Sequence, residues 1–434
     1  MKRYFALLLA LGMLLSLFAG CGKAEDSGRE SPKDDEVEVE KQDCEHSFAE
    51  DGWTVKKEST CEKAGYEERE CSLCGDKEKR ELPLGEHSYE NGACTVCGEK
   101  SKGSEGLQFT SDYSKSTYTW NAYYLGMGEC TDTVVTVPAT AWDNGTESEI
   151  PVTGIATFAS FGSDVTDITF LSAISDMPEY FFCDYPSLQR VAFAEGQTMI
   201  PVGTFSGNAG IREVKLPTTL ESIGKHAFSG TSLESAVIPG SVRVVDEKTF
   251  YDCKALKEVT LSEGVTQIRE RAFESCTALE RISIPASVER FEGWAFYGCA
   301  SLRELDLRCA ATGIPSLMCA GAKSLTSVIM GDQMTAIGQA AFQNCAALES
   351  ITLSASLKTI CKSAFSGCSA LTRLELPESL TKIETGAFDY ADELTELVYA
   401  GTVEQWEQIE LESGWLGDSP ATVVRCADGE VELA

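Results

Sequence analysis

Apolar residues return at a fixed long interval through the middle and last parts of the chain. A phenylalanine recurs every 22 or 23 residues, with one double step of 46 residues where Met318 and Cys319 stand near the expected place. Such a period indicates a solenoid of stacked structural units. The recurring residues are Phe182, Phe205, Phe228, Phe250, Phe273, Phe296, Phe342, Phe365 and Phe388.

Each period also contains a short alternation of apolar and polar residues. In LERISIP, Ile282 and Ile284 flank the polar Ser283, which predicts a half-buried strand that ends at Pro285. The pattern L-x-x-I-x-I begins near residues 165, 188, 211, 233, 256, 279, 302, 325, 348, 371 and 394, which gives eleven units. One unit cannot bury its own apolar face, so neighbours must stack above and below it. We therefore expect one parallel sheet roughly 50 Å long.

The full repeat, G-x-x-A-F-x-x-C-x-x-L-x-x-I-x-I-P, resembles the BspA-type (treponemal) leucine-rich repeat over residues 158–399. The flanks at 124–155 and 399–409, with a closing segment at 422–429, resemble the caps of that family. The resemblance implies a right-handed horseshoe with its parallel sheet on the concave face, at a cell surface and often in adhesion. We expect an N-terminal cap at 101–155, repeats at 156–398 and a C-terminal cap at 399–434.

The N-terminus has the order of an export signal. Lys2 and Arg3 precede an apolar run at 4–18, which is too short for a typical membrane span. The ending Leu-Phe-Ala-Gly-Cys resembles a lipoprotein lipobox, which implies a signal peptide at 1–20 and a diacylglyceryl group on Cys21. The alternative is an uncleaved signal anchor. Residues 21–43 are dense in charge and predict a flexible linker on a lipid-anchored surface protein.

Residues 44–100 combine cysteine and histidine in a pattern typical of metal sites. Two C-x-x-C-G knuckles, at 71–75 and 94–98, each follow a Glu-His-Ser tripeptide. Eight nitrogen and sulfur ligands make two closed tetrahedral sites, which predicts structural Zn²⁺. Three disulfides are the alternative, but they leave both histidines unexplained. The module resembles small zinc-ribbon repeats that precede repeat domains. The assigned ligands are His46, Cys61, Cys71 and Cys74 in one site, and Cys44, His87, Cys94 and Cys97 in the other.

The outward positions of the repeated strands are the candidate binding face. They carry charged, small polar and aliphatic side chains and no aromatic residue, so a sugar-stacking platform is not evident and a protein or glycoprotein partner is favoured. The alternative is that opposite charges on neighbouring strands only stabilise the register. The charged candidates are Arg190, Glu213, Lys215, Glu258, Arg281, Glu304, Asp306, Arg373, Glu375 and Glu396.

Charge and chemistry exclude several classes of function. The formal net charge of −32 argues against a nucleic-acid partner and against adsorption to anionic lipid. His226 is the one histidine outside the metal module, and its repeat equivalents, such as Thr249 and Arg271, vary freely. No nucleotide-binding or metalloprotease motif is present, so we expect no enzyme. Five repeat cysteines share one position and are expected to be buried free thiols rather than disulfides: Cys253, Cys276, Cys299, Cys345 and Cys368.

The sequence favours a lipid-anchored bacterial surface protein that binds a protein partner through the solenoid, in adhesion to host or neighbouring cells. The second hypothesis is a structural component of the bacterium's own envelope, anchored or spaced by the zinc module. Metal capture is a third, and closed sites argue against it because a carrier must release its metal.

Overall fold

The computed structural model describes residues 53–57, 63, 65–72, 77–82, 89–90, 93–94 and 103–433. The chain divides into two compact units, Met1–Glu58 with Gly65–Leu82, and Ser59–Ala64 with Pro83–Ala434. Among the described residues, no helix is both long enough and apolar enough to cross a membrane.

The described part of the first unit is a three-stranded antiparallel sheet in the order β1-β2-β3. The guanidinium groups of Arg69 and Arg80 lie 4.6 and 4.3 Å from the ring centroid of Trp53, which covers the apolar ring with cationic groups. Cys71 follows β2 directly and is buried. The strands are β1 (Thr54–Lys57), β2 (Tyr66–Glu70) and β3 (Lys77–Glu81).

The second unit begins with an antiparallel hairpin and a mixed sheet, in which β7 and β10 run parallel and the other neighbours run antiparallel. A hairpin pairs β4 with β5, and a four-stranded sheet has the order β6-β7-β10-β9. The sheet precedes the repeats and contributes buried residues to the same hydrophobic core. The strands are β4 (Tyr89–Glu90), β5 (Ala93–Cys94), β6 (Gln108–Ser114), β7 (Thr119–Gly126), β9 (Thr140–Asp143) and β10 (Ser148–Ser160).

Eleven repeated strands follow, one in each turn of the solenoid, and this confirms the number of units read from the sequence. We call each turn a rung. Strand β8 (Val134–Val137) pairs with the first rung in parallel, so the segment before the repeats adds one more strand to the stack. The rung strands are β11 (Asp167–Phe170), β12 (Arg190–Ala192), β14 (Glu213–Lys215), β16 (Ser235–Ile238), β18 (Glu258–Leu261), β20 (Arg281–Ser283), β22 (Glu304–Leu307), β23 (Ser327–Met330), β25 (Ser350–Thr352), β27 (Arg373–Leu376) and β29 (Glu396–Tyr399).

A second row of two-residue parallel strands runs beside the first. Each of these strands places one apolar residue inward, as Ile268 in β19 and Ile360 in β26 do. The second row is β13 (Met199–Ile200), β15 (Ser222–Ile223), β17 (Val244–Val245), β19 (Gln267–Ile268), β21 (Arg290–Phe291), β24 (Ala336–Ile337), β26 (Thr359–Ile360), β28 (Lys382–Ile383) and β30 (Glu410–Leu411).

The repeated phenylalanines form a stacked column in the core. Consecutive rings lie 5.2–5.6 Å apart with interplanar angles of 13° or less, and all nine rings are buried. Full burial of one such ring stabilises a fold by about 1.5–3 kcal/mol. The column is therefore a principal source of the cohesion between rungs.

The structure resolves the place where the column is interrupted. In a regular rung, the phenylalanine N–H donates to the carbonyl of the residue just before the next phenylalanine. Phe296 N–H donates in this way to Met318 O, and Cys319 N–H donates to Ala341 O. Cys319 therefore occupies the phenylalanine position, and Met318 occupies the usual alanine position. Both are fully buried. A longer residue in the alanine position fills the volume that a smaller one leaves in the phenylalanine position.

Aromatic residues close both ends of the column. Tyr124 stacks on Phe161 at 4.4 Å, and Phe161 lies 6.0 Å from Phe182. At the other end, Trp415 meets Phe388 edge-on at 5.9 Å. The helix α1 (Val403–Trp406) begins with a capping box between Thr402 and Gln405. Two last strands, β31 (Val423–Arg425) and β32 (Glu430–Glu432), continue the sheet beyond β29.

The repeat cysteines lie three residues after the phenylalanine position and are free thiols. Each Sγ donates to a carbonyl of the preceding rung, as Cys276 does to Phe250 O at 3.0 Å and Cys299 does to Phe273 O at 3.2 Å. Asn208 donates from the same position to Phe182 O at 2.7 Å. The position therefore requires a small side chain that fits the core, and a hydrogen-bond donor is favoured because it satisfies a buried carbonyl.

Candidate partner-binding face

The outward side chains of the rung strands form one surface, which we call the sheet face. Alternation is clearest in β22 and β27, where exposed and buried residues follow one another strictly. In register, Arg190 stands beside Glu213, Glu258 beside Arg281, and Arg373 beside Glu396. All ten charged candidates lie on this face, and all except the half-buried Glu396 are exposed.

Ion pairs on the sheet face only partly follow the expected pairing between neighbouring rungs. Arg373 pairs with Glu396, which also accepts from Arg425 at 2.8 Å. Arg281 is 3.9 Å from Glu258, the limit of an ion pair. Asp306 instead pairs within its own strand end, because Arg308 Nε lies 2.9 Å from its Oδ1. Exposed pairs of this kind contribute at most about 1 kcal/mol each, so most of these charges remain available to a partner.

Hydrogen bonds set the protonation of the carboxylates on this face. The hydrogen bond from Arg308 lowers the pKa of Asp306, and the hydrogen bond from Arg373, aided by the charge of Arg425, lowers the pKa of Glu396. Both groups are therefore carboxylates at neutral pH. Asp306 and Glu396 therefore present fixed negative charges on the sheet face.

The rung strands fall into four separate sheets, whereas the sequence predicts one continuous sheet. Breaks lie between β14 and β16, between β20 and β22, and between β25 and β27. The second and third breaks lie between strands 23 residues apart, so rung length does not explain them. The first break coincides with the one short rung.

A deletion of one residue accounts for the first break. Leu256 follows Phe250 by six positions, whereas Leu233 follows Phe228 by only five. In the shorter turn, Ser232 N–H donates to Ile211 O at 2.9 Å, two residues before the amide of Glu234 that would make the regular bond to the preceding rung. The strand that follows is consequently drawn out of the ladder.

The break leaves a gap that we call the seam, bounded by β14 and β16. Strands β14 and β16 belong to different sheets and make no ladder pairing, whereas paired strands lie about 4.8 Å apart. A cavity of about 470 Å³ occupies the seam. Its walls are mainly apolar and include Val214, Leu216, Ala236, Leu233 and Phe228.

A second, polar depression lies at the break between β20 and β22. It has a volume of about 640 Å³ and is lined by Arg281, Glu304, Asp306 and Arg308, with Ile282 at its floor. Arg308 was not among the sequence-predicted residues, because it stands one place beyond the strand pattern. Predicting its ion pair with Asp306 would have required the path of the backbone after β22.

His226 has no catalytic arrangement around it in the described structure. It occupies a left-handed backbone position with φ of 58°, two residues before the stacked phenylalanine, as do Arg271 and Trp294. The equivalent in the next rung is Lys248, with φ of 54°, and not Thr249, so that part of the sequence alignment was wrong. The 22-residue step shifts the register, and Thr249 is instead buried in the alanine position.

The predicted zinc ligands can be placed only in part. Cys71 is buried at the end of β2, and Cys94 ends β5. Glu70 pairs with Lys77, so the first knuckle falls within the connection of an antiparallel hairpin. In the described ranges no group of three or more potential ligands comes together. The predicted lipidation residue Cys21 and six predicted ligands lie outside the described residues: Cys44, His46, Cys61, Cys74, His87 and Cys97.

The repeat pattern did not predict the seam, although one sequence feature marks it. The single 22-residue step marks the short rung, and the walls of the seam come from the strands on either side of it. The exposed aliphatic residues near the seam add to this surface, since Val237 is 63% exposed. A length change in one repeat is thus the only sequence feature that points to the gap.

Comparison with known proteins finds solved structures of leucine-rich repeat proteins that are similar to this chain. Solved structures with a similar arrangement include a leucine-rich repeat protein from Bacteroides ovatus ATCC 8483, with 21% identity over 70% of this chain and 97% of that chain, and a TM-score of 0.41. A leucine-rich cell surface protein from Faecalibacterium prausnitzii A2-165 has 22% identity over 72% and 98% of the two chains, with a TM-score of 0.37. These scores are too low to assign a function.

No curated protein matches the sequence. The family model described as the BspA type leucine-rich repeat region matches in six copies, over residues 142–256, 221–346 and 301–412. Together these ranges span 142–412, which is more than half of the 434 residues. The chain therefore belongs to the BspA type leucine-rich repeat family.

Proposed function

We propose that this protein is an exported bacterial surface lipoprotein that binds a protein or glycoprotein through the sheet face. The observation that carries the proposal is the composition of that face, where exposed charges of both signs alternate with small and aliphatic side chains across eleven rungs. Extended repeat surfaces of this kind commonly bind proteins. The family and the surface protein from Faecalibacterium prausnitzii support an exported location.

Attachment and adhesion belong to the same proposal. The signal sequence and Cys21 would anchor the chain to the outer face of the membrane, and residues 21–43 would extend its reach. The sheet face would then contact a host or neighbouring cell. Nothing in this arrangement requires a reaction, and the family match is to a repeat family rather than to an enzyme family.

Two structural Zn²⁺ ions in residues 44–100 complete the proposal. The buried Cys71 and the hairpin that brackets the first knuckle support a closed site, because a zinc knuckle places two cysteines at a tight turn between strands. We propose that the metal stabilises this module and takes no part in partner binding.

The test compares binding of the purified full-length protein to immobilised host matrix proteins and to purified bacterial wall. Saturable binding to a host protein supports adhesion, and binding to wall alone supports the envelope component instead.

Two charge reversals test the binding face. Arg281→Glu reverses an exposed charge on the sheet face, and Arg243→Glu makes the same change at an exposed residue next to β17, off that face. We expect Arg281→Glu to weaken binding by roughly fivefold or more and Arg243→Glu to leave it unchanged. Equal effects of both changes would refute the proposed face.

A further inference from the structure

We propose that the seam receives an extended peptide segment of the partner, which adds a strand between β14 and β16. The inference rests on the proposed function and names how the partner binds. It concerns the first of the three breaks in the sheet face, where the ladder of backbone hydrogen bonds between neighbouring rungs is incomplete.

The ladder shows which groups are free. In paired rungs, Arg212 N–H donates to Gln189 O at 2.9 Å, Lys257 N–H to Glu234 O at 2.8 Å, and Glu280 N–H to Lys257 O at 2.9 Å. The step between Glu234 N–H and Arg212 O is missing from the described structure. A peptide strand parallel to β14 would donate to Arg212 O and accept from Glu234 N–H. Both free groups would then be satisfied by one incoming residue.

One interposed strand needs two ladder spacings, about 9.6 Å. Strands β14 and β16 are unpaired, and the cavity of about 470 Å³ lies between them. The closed alternative is prevented by the short turn at 229–232, which holds Ser232 against Ile211. The gap is therefore built into the length of this rung.

The cavity determines the side chains of the occupant. Alternate residues of an added strand point inward, where Val214, Leu216 and Ala236 line an apolar space of about 470 Å³. This space suits two branched aliphatic side chains spaced by one residue. The carboxylate of Glu213 is exposed beside the seam, so a basic residue is favoured at the outward place next to it. The predicted ligand is an extended segment of the form basic–aliphatic–polar–aliphatic.

The probe is a fluorescein-labelled synthetic peptide, Ala-Leu-Glu-Arg-Ile-Ser-Ile-Pro, which copies residues 278–285 of this chain and has that form. Its matched control has Glu in place of Arg. We expect saturable binding of the first peptide to the full-length protein, measured by fluorescence anisotropy. The control should bind up to about fivefold more weakly, which is the scale of one cross-strand charge pair.

Two variants test the location. Insertion of one Ala between Thr231 and Ser232 restores the common rung length and should close the seam, weakening peptide binding by about tenfold or more. Ala236→Phe fills the cavity from a half-buried position and should have the same effect without altering rung length. Thr260→Phe adds the same ring at an outward position of β18 and should leave peptide binding intact.

Hydrogen exchange provides a readout that needs no ligand. The Glu234 amide should exchange faster than the Lys257 amide in the parent protein, and the insertion should slow it. The inference is overturned if Glu234 is as protected as Lys257, if the parent protein does not bind the peptide, or if both seam variants bind it unchanged. A partner that binds the seam variants normally but loses affinity with Arg281→Glu would leave the proposed function standing and refute the seam alone.

Discussion

At the scale of single residues, backbone geometry explains much of the repeat. The cysteine position places a small side chain under a carbonyl of the preceding rung, and both Asn208 and Cys276 donate to that carbonyl. The sequence predicted burial and free thiols at this position, because several cysteines share one apolar place. It did not reveal the hydrogen bond, since the acceptor lies 26 residues away in the preceding rung.

Replacing Cys276 tests that hydrogen bond. Cys276→Ala removes both the buried sulfur and the donor to Phe250 O, so we expect a loss of about 1–2 kcal/mol in the free energy of unfolding. Cys276→Ser keeps a donor of similar size and should cost less than the alanine change. Urea unfolding of both variants measures the difference, and a larger loss for serine would show that burial alone governs the position.

The pKa of Glu396 predicts a pH-dependent stability. The hydrogen bond from Arg373 lowers this pKa in the folded state, so the stabilisation is present above the ordinary glutamate value and is lost as the pH falls through the folded value. Glu396→Gln should therefore have a lower Tm than the parent protein at pH 7, and the two Tm values should converge in acid. Thermal unfolding at several pH values measures this. A difference in Tm that persists at the lowest pH would show that the lower stability comes from the amide side chain and not from the missing charge.

At the scale of elements, one short rung and one altered rung break the regularity of the solenoid. Periodicity predicted the number of strands, because each apolar alternation must face the core. Periodicity could not show that a single missing residue separates β14 from β16. The ladder between β14 and β16 closes only if the turn before β16 is long enough to bring the two strands side by side. This depends on the backbone path of that turn and not on residue type.

The rung of Met318 and Cys319 provides a test of volume compensation. Cys319→Phe alone adds a ring beside the long Met318 side chain in a fully buried place, so overpacking should cost about 1–3 kcal/mol. The double change Met318→Ala with Cys319→Phe restores the common pair and should be near neutral or stabilising. Urea unfolding of the single and double variants gives the coupling. Additive losses would show that Met318 does not fill the phenylalanine volume.

At the scale of the whole molecule, we predict that the solenoid and the zinc module are separate sources of stability. The buried core of the second unit includes described residues from Leu107 to Leu433. The predicted ligands belong to residues 44–100, for which zinc binding remains a prediction. Metal removal should consequently affect one part of the chain and not the other.

Metal analysis with thermal unfolding tests this separation. We expect two zinc ions per full-length chain by elemental analysis, because eight ligands form two four-ligand sites. Chelation should remove the metal and leave the main unfolding transition of the solenoid in place. A chain without metal but with three disulfides in 44–100 would refute the zinc sites, and a chelator that lowers the main transition would refute the separation.

The sequence by itself determined the repeat, its length and the family, because a core built from identical turns demands the same residue types at the same spacing. It also determined which charged residues share the outward face, since alternation in a strand permits only two sides. The tertiary structure alone decided that Cys319 takes the phenylalanine place, that Lys248 and not Thr249 is equivalent to His226, and that the sheet opens at the seam. These outcomes depend on how far each turn reaches and on which groups it brings within hydrogen-bond distance, and both are properties of neighbouring rungs together.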